Sequence, residues 1–157
     1  MNKILLGILL FLNLVTISNA DELDTLYEYA LPTLNGAQNF KEHKGNAVAI
    51  LIFQPNCSWC ALQSRTIHKM QKNNELSDRY LAVGINGRKS ALVNEVFKTG
   101  LKLPAYQSTG PFIAKAELDK SSPVMLILNQ KGQLLKKLVG YQDKTVLKQI
   151  DNFLSKI

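Results

Sequence analysis

Residues 47–60 of the chain read AVAILIFQPNCSWC, and the interpretation of the whole sequence starts there. The first seven residues are apolar, which is typical of a buried strand that is covered on both faces. Residues 54–56 interrupt the strand, and a helical pattern follows over 59–73. Cys57 and Cys60 therefore lie where a strand gives way to a helix.

This position has a chemical consequence for Cys57. The N-terminus of a helix presents unpaired backbone N–H groups and the positive end of the helix dipole, and both favour a thiolate over a thiol. The thiolate is the attacking species in thiol–disulfide exchange. The spacing therefore predicts that Cys57 attacks a disulfide and that Cys60 resolves the resulting mixed disulfide.

Three other roles for the motif fit the sequence less well. A disulfide across two intervening residues closes a short ring, and loop-entropy stabilisation is smallest for short rings. A structural zinc ion needs about four ligands, whereas the chain has two cysteines and two widely separated histidines, His43 and His68. Attachment of a c-type haem needs a histidine directly after the second cysteine, where this chain has Ala61. Redox chemistry is the favoured interpretation.

Residues 1–20 have the pattern of a secretory signal peptide. Lys3 supplies the positive charge, residues 4–17 are largely apolar, and residues 18–20, Ser-Asn-Ala, match a signal peptidase site. We therefore expect the mature chain to begin at Asp21 and to be exported to the periplasm. The apolar stretch is about 14 residues, shorter than the ~20 of a spanning helix, and an uncleaved membrane anchor is the second alternative.

Length and composition indicate one globular domain over residues 21–157. The full chain has a formal net charge of +7, and it is 46% hydrophobic and 20% charged. Its lysines and arginines are scattered, without a dense run or interleaved aromatic residues. Because nucleic-acid binding calls for a clustered basic stripe, we expect no nucleic-acid partner.

Apolar runs and turn residues predict the remaining elements. In the helix after Cys60, the candidate inward positions are Leu62, Ile67 and Met70. The other predictions are a short edge strand or hairpin over 26–34, a strand over 80–85, a helix capped by Ser90 and ended by Gly100, a short helix within 111–118, a hairpin of strands at 124–128 and 134–139, and a helix over 146–157. This order predicts an α/β fold with a central mixed sheet and helices on both faces.

With these segments, the chain resembles the thioredoxin fold, and more narrowly the TlpA/ResA-like group of exported thiol–disulfide oxidoreductases. The resemblance rests on the C-x-x-C motif and on a strand led by Pro123, which lies 63 positions (123 − 60) after the second cysteine. Further matching segments are Leu31 to Gly36, Lys44-Gly45, Thr99 to Pro104 and Lys131-Gly132. The resemblance implies a thioredoxin-like domain over 21–157, in which the mixed sheet is flanked by helices and preceded by an N-terminal β-hairpin extension.

The resemblance also implies roles for individual residues. Cys57 and Cys60 would be the catalytic pair, and the proline equivalent to Pro123 is cis in this group and faces the cysteines. The backbone of Ser122 would then pair with an extended substrate strand. Trp59 either shields the disulfide, forms part of the docking surface or packs against the protein.

The chain departs from the pattern of the group at three positions. Thioredoxins have a buried acid on the strand before the motif, and this chain has Leu51 there. ResA-like proteins often have a glutamate three residues after the second cysteine, where this chain has Gln63. The tryptophan that commonly precedes the first cysteine is replaced by Asn56.

These departures leave no evident proton acceptor for Cys60. The nearest carboxylate downstream in sequence is Glu75. Glu117 or Asp119, in the loop over 101–122, are further candidates, as is water.

The leading hypothesis is an exported protein-disulfide reductase whose only redox centre is the Cys57–Cys60 disulfide, with no further cofactor and no metal. The resemblance implies protein thiol or disulfide substrates, including apocytochrome c, and a membrane electron donor of the DsbD/CcdA type. We expect a soluble monomer. The alternatives are a disulfide-donating oxidant with a DsbA-like role, and a non-enzymatic binding protein that uses the cysteine pair for metal or redox handoff.

Overall fold

The computed structural model describes residues 25–157, and the predicted signal peptide lies outside this range. Two 3-10 helices, Leu26–Glu28 and Phe40–His43, come first. The elements that follow are β1 (Val48–Phe53), α1 (Ser58–Lys72), β2 (Tyr80–Gly84), α2 (Lys89–Thr99), β3 (Ala105–Gln107), α3 (Gly110–Lys115), β4 (Val124–Leu128), β5 (Leu134–Val139) and α4 (Lys144–Leu154). None of the described helices is long and apolar enough to cross a membrane.

The strands form one mixed sheet in the order β3-β2-β1-β4-β5. The central strand, β1, runs parallel to β2 and antiparallel to β4. The edge strand β5 pairs antiparallel with β4, as the predicted hairpin requires. The cysteine motif therefore follows the carboxyl end of the strand at the centre of the sheet.

The core has two layers because alternate residues of β1 face opposite sides of the sheet. Odd-numbered residues 49–53 pack with apolar residues of α1, α2 and α4. Even-numbered residues 48–52 pack with α3 and with the two 3-10 helices. Burial on both faces explains why this strand is continuously apolar, and the predicted mixed sheet flanked by helices is confirmed.

Of the two alternatives predicted for 26–34, the hairpin is wrong, and the short edge strand is present only as a single bridge at Thr33. Leu26–Glu28 is a 3-10 helix, and the chain after it runs beside the edge strand β3, with one isolated bridge between Thr33 and Tyr106. Pro32 has no N–H to donate to a strand partner. The segment therefore covers an edge of the sheet instead of pairing with itself.

The loop over 101–122 contains a strand that the sequence did not predict. β3 has three residues and pairs in parallel with β2. Pro104 directly precedes it, and so short an apolar segment gives no readable alternation. The short helix predicted within 111–118 is present as α3, which begins at Gly110.

Two details of the helices also differ from the predictions. The N-cap of α2 is Arg88, so Ser90 lies inside the helix and does not cap it. On α1, Ile67 and Met70 are buried as predicted, whereas Leu62 is 37% exposed. The buried face of α1 runs through Gln63, Ile67 and Met70, and Leu62 lies beside this face and not on it.

Candidate active site

The cysteine motif lies at the junction of β1 and α1, where the sequence places it. Cys57 is the N-cap residue of α1, and its Sγ accepts a hydrogen bond from the backbone N–H of Cys60 at 3.1 Å. The two cysteines are joined by a disulfide. After reduction, a thiolate on Cys57 would face the positive end of a 15-residue helix. The geometry therefore favours negative charge on this sulfur.

The two cysteines differ in exposure. Cys60 is 4% exposed and belongs to the hydrophobic core. Cys57 is half-buried and lines an open groove of about 360 Å³. An incoming disulfide therefore meets Cys57 first, with Cys60 held behind it.

Ser122 and Pro123 lie beside the disulfide. The hydroxyl of Ser122 donates to Sγ of Cys57 over 3.4 Å, and the Ser122–Pro123 peptide bond is cis. The carbonyl of Pro123 accepts the N–H of Gly140 at 2.8 Å, which ties this segment to the end of β5. Within residues 25–157, the backbone N–H and C=O of Ser122 have no hydrogen-bond partner.

Trp59 is an exposed aromatic residue between the two cysteines. Its side chain is 59% exposed, and its ring centroid lies 5.9 Å from that of Tyr141. The Tyr141 hydroxyl is in turn 3.2 Å from the Oγ1 of Thr66 on α1. Trp59 is therefore supported by its neighbour while most of its surface faces solvent.

Gln63 is buried and holds the loop that carries Tyr141. Its Oε1 accepts the backbone N–H of Gln142 at 2.6 Å, and its Nε2 donates to the Gln142 carbonyl at 3.1 Å. An amide satisfies both backbone groups, whereas a carboxylate has no N–H to donate. The glutamine at this position therefore has a structural role that an ionised glutamate would not serve.

Glu95 of α2 is a site residue that the sequence analysis missed. It is 8% exposed, and its Oε2 accepts the backbone N–H of Asn56, the residue before Cys57, at 3.1 Å. It also lines both the groove at Cys57 and a smaller cavity at Cys60. The available signal was its place three residues after the buried Leu92, on the apolar face of the helix.

The carboxylates named from the sequence lie elsewhere. Glu75 pairs with Lys148 at 2.9 Å, and this hydrogen bond lowers the pKa of Glu75. Asp119 accepts the backbone N–H of Ser121 at 2.7 Å, which lowers its pKa. Glu117 is exposed. None of the three carboxylates lines the groove or the cavity beside the cysteines.

Metal-ligating side chains do not cluster within residues 25–157, where no group of three or more His, Cys, Asp or Glu side chains is placed to hold a metal ion. His43 lies with its Nε2 2.8 Å from the Tyr106 hydroxyl. His68 is an exposed residue of α1.

No protein-family model matches the chain, and no curated protein sequence is similar to it. Solved structures do match it. The pneumococcal exposed lipoprotein thioredoxin of Streptococcus pneumoniae superposes with a TM-score of 0.66 at 20% identity, covering 82% of this chain and 98% of that one. A thioredoxin-family thiol:disulfide interchange protein from Chlorobium tepidum gives 0.64 at 18% identity, covering 80% and 92%.

A third match is a secreted disulfide oxidoreductase of Mycobacterium tuberculosis, with a TM-score of 0.63 at 13% identity, covering 84% of this chain and 98% of that one. Each of these chains is covered almost completely, although the sequence identities are low. Together with the mixed sheet, its helices on both faces and the disulfide at the start of α1, they establish the architecture. The chain has the thioredoxin fold.

Proposed function

We propose that the protein is an exported thiol–disulfide oxidoreductase that reduces disulfides in periplasmic proteins, with Cys57 and Cys60 as the catalytic pair. The observation that carries this proposal is the asymmetry of the pair. Cys57 is the accessible N-cap of α1, and Cys60 is buried behind it. The names of the structural neighbours, a thiol:disulfide interchange protein and a disulfide oxidoreductase, agree with this activity.

The proposed reaction transfers two electrons from the reduced pair to a substrate disulfide. The Cys57 thiolate attacks one substrate sulfur, a mixed disulfide forms, and the second substrate sulfur leaves as a thiolate that takes up a proton. Cys60 then loses its proton and attacks Sγ of Cys57. The bond between Cys57 and the substrate breaks, the protein disulfide forms, and the substrate leaves as a dithiol.

Substrate docking is proposed to use Ser122, Pro123 and Trp59. The unpartnered backbone N–H and C=O of Ser122 are the groups that an extended substrate strand needs for main-chain pairing. The Ser122 hydroxyl reaches Cys57 over 3.4 Å, so such a strand would lie next to the attacking sulfur. Trp59 offers an exposed apolar surface beside it.

The remaining parts of the proposal concern the protein in the cell. Residues 1–20 are proposed to direct export and residues 21–157 to act as a soluble monomer in the periplasm. A membrane electron donor of the DsbD/CcdA type would return the disulfide to the dithiol. No separate cofactor is needed, because the electrons reside in the cysteine pair.

Trapping with insulin as the disulfide substrate tests the activity. Reduced Cys60→Ala is expected to form a mixed disulfide with insulin that persists, because no resolving thiol remains. Cys57→Ala is expected to trap nothing and to reduce no insulin. A stable adduct on Cys57→Ala but none on Cys60→Ala would reverse the assigned roles, and no reaction of the wild-type dithiol would reject the proposed function.

The direction of electron flow is tested by the reduction potential of the pair, measured in glutathione or dithiothreitol buffers. A value near that of thioredoxin, ~−270 mV, supports a reductase. A value near ~−120 mV would make the protein a disulfide donor instead.

A further inference from the structure

Cys60 must exchange a proton during the proposed reaction, and its surroundings are largely apolar. At 4% exposure it belongs to the core cluster that includes Phe53 and Leu101. A thiol in such a place is costly to ionise unless a base takes its proton. The two positions at which related proteins carry an acid are Leu51 and Gln63 in this chain.

Glu95 is the carboxylate that reaches this place. A small cavity of about 10 Å³, which has room for about one water molecule, is lined by Cys60, Ala61, Glu95 and Thr99 together with Phe53 and Leu101. Three of these residues, Ala61, Glu95 and Thr99, also line the larger groove beside Cys57. Glu95 therefore borders both the buried sulfur and the open groove.

One hydrogen bond fixes the carboxylate of Glu95, and a second ties Thr99, which also lines the cavity, to the Glu95 backbone. Its Oε2 accepts the backbone N–H of Asn56 at 3.1 Å, and its backbone carbonyl accepts the hydroxyl of Thr99 at 2.7 Å. The bond to Asn56 occupies one carboxylate oxygen and leaves lone pairs on the other. The side chain is thereby fixed to the residue that precedes the attacking cysteine.

From this arrangement we propose that Glu95 is the proton acceptor of Cys60. The acid would then lie on α2, and not on β1 or α1, where this chain has Leu51 and Gln63. The inference rests on the proposed function. In the resolving step the Cys60 thiol gives its proton to the Glu95 carboxylate, directly or through one water, and the resulting thiolate attacks Sγ of Cys57. The proton then leaves through the groove to the departing substrate thiolate or to solvent. When the disulfide is reduced again, Cys60 leaves as a thiolate and takes a proton back by the same route.

Other charged groups face Glu95 and enter any pH dependence. Arg65 of α1 and Lys98 of α2 line the groove, and so do Cys57 and Ser58. The first turn of α1 adds its dipole. Arg65 and Lys98 stay in place in the variants below.

The test is single-turnover reduction of insulin by the reduced protein, with acid quenching and mass spectrometry of the mixed disulfide. Glu95→Gln keeps an oxygen for the Asn56 N–H but cannot accept a proton. At pH 7 its resolving step is expected to slow about a hundredfold, within the range of general base catalysis, so the mixed disulfide accumulates. In the Cys60→Ala background, which lacks the resolving thiol, Glu95→Gln is expected to change the rate of mixed-disulfide formation far less than it slows the resolving step.

The pH profile separates proton transfer from a structural role. An ordinary cysteine thiol ionises with a pKa of about 8.5, so hydroxide replaces the base at higher pH. The deficit of Glu95→Gln is therefore expected to shrink to a few-fold by pH ~9.5. A deficit that stays constant from pH 7 to 9.5, or no deficit at all, overturns the inference.

Two further variants complete the test. Glu75→Gln makes the same chemical change in a surface ion pair and is expected to resolve at the wild-type rate. Glu95→Asp keeps a carboxylate one methylene further back, and we expect a smaller deficit at pH 7 that also shrinks by pH ~9.5. If Glu95→Gln does not fold, a Glu95→Asp deficit that stays constant from pH 7 to 9.5 overturns the inference. Failure of the wild-type dithiol to form any mixed disulfide would instead reject the proposed function, independently of Glu95.

Discussion

Gln63 shows how a single side chain fixes the surroundings of the disulfide. It is fully buried and bonds both backbone groups of Gln142, and the neighbouring residue in that loop, Tyr141, supports Trp59. ResA-like proteins, which the sequence resembles, often have a glutamate at this position. The structure explains the amide by the two backbone groups that it must satisfy at once.

Gln63→Glu is therefore expected to lower the free energy of unfolding at pH 8 by about 1–3 kcal/mol or more, because a buried carbonyl loses its donor and a carboxylate is placed against it. Burial would raise the pKa of the new carboxyl above its unfolded value. A protonated carboxyl can donate again, so the penalty should be full above the folded pKa and shrink as the pH falls towards the unfolded value of ~4.3.

Urea denaturation at pH 8 and pH 5 measures this effect. Gln71→Glu is the matched control, because Gln71 lies on the same helix, is half-buried and donates from Nε2 to the Ser77 carbonyl at 2.8 Å. It should cost less than Gln63→Glu. Equal costs for the two variants would contradict the role assigned to burial.

His43 gives the fold a pH dependence of its own. Burial lowers the pKa of His43 below its usual value of 6.5, and the nearby Glu42 partly opposes this shift. The folded state therefore prefers neutral His43, and the unfolded chain binds a proton at higher pH than the folded one. The stability that comes from neutral His43 is full above the unfolded pKa and decreases as the pH falls through 6.5 towards the folded value.

His43→Gln should accordingly lose less stability than the wild-type protein between pH 7.5 and pH 5.5. Glutamine does not titrate, and its amide can still hydrogen-bond the Tyr106 hydroxyl. Urea unfolding of both proteins at the two pH values is the measurement. Parallel losses in the two proteins would show that His43 does not carry this dependence.

At the scale of elements, the N-terminal segment is attached to the sheet through a close contact at Gly132. The backbone N–H of Leu26 donates to the Gly132 carbonyl at 2.8 Å. Gly132 has a φ of +83°, and a Cβ added there would lie 2.5 Å from Cδ2 of Tyr27 and 3.1 Å from its backbone N. Tyr27 in turn packs against Phe40, with ring centroids 5.7 Å apart.

Gly132→Ala should therefore combine backbone strain with overpacking and cost about 2–4 kcal/mol. Gly36→Ala is the matched control, because Gly36 has a φ of +75° and a Cβ added to it would meet nothing within 4 Å, so this variant should cost about 1 kcal/mol from strain alone. Thermal or urea unfolding of the two variants measures the difference. Equal costs would mean that Tyr27 moves aside easily and that the segment is loosely attached.

How well each element could be predicted depended on where its partners lie in the sequence. β1 and the β4–β5 hairpin are long apolar runs with local turn residues, so their patterns suffice. The segment over 26–34 has turn residues too, but its partner is β3, more than seventy residues away. Local patterns carry no information on such a pairing, and the hairpin prediction failed for that reason.

The same distinction applies to the active site. Cys57 and Cys60 lie within one motif, so the sequence predicts their placement at the start of α1. Glu95 reaches them from α2, and only the packing of α2 against the start of α1 brings it to Asn56. An acid on the apolar side of a helix was the one local signal, and its partner could not be named without the fold.

At the scale of the whole molecule, the redox state of the pair and the stability of the fold are linked. If folding changes the reduction potential of the pair, the oxidised and the reduced protein must differ in their free energy of unfolding. A change of 30 mV in the potential corresponds to a difference of about 1.4 kcal/mol. Closing the short ring between Cys57 and Cys60 stabilises the oxidised form by about 2 kcal/mol through loop entropy. A thiolate at the start of α1 stabilises the reduced form by about 0.3–1 kcal/mol.

The ring-closure contribution is the larger, so the oxidised protein is expected to be more stable than the reduced protein by about 1 kcal/mol. Guanidinium unfolding at pH 7, with and without dithiothreitol, measures this difference. Cys57→Ala is the control, because it cannot form the disulfide and its free energy of unfolding should be the same with and without dithiothreitol. A more stable oxidised form means that folding makes the dithiol a better reductant, as the proposed direction requires. If the reduced form proves the more stable one, folding favours release of the disulfide, and the protein would act as an oxidant of its substrates.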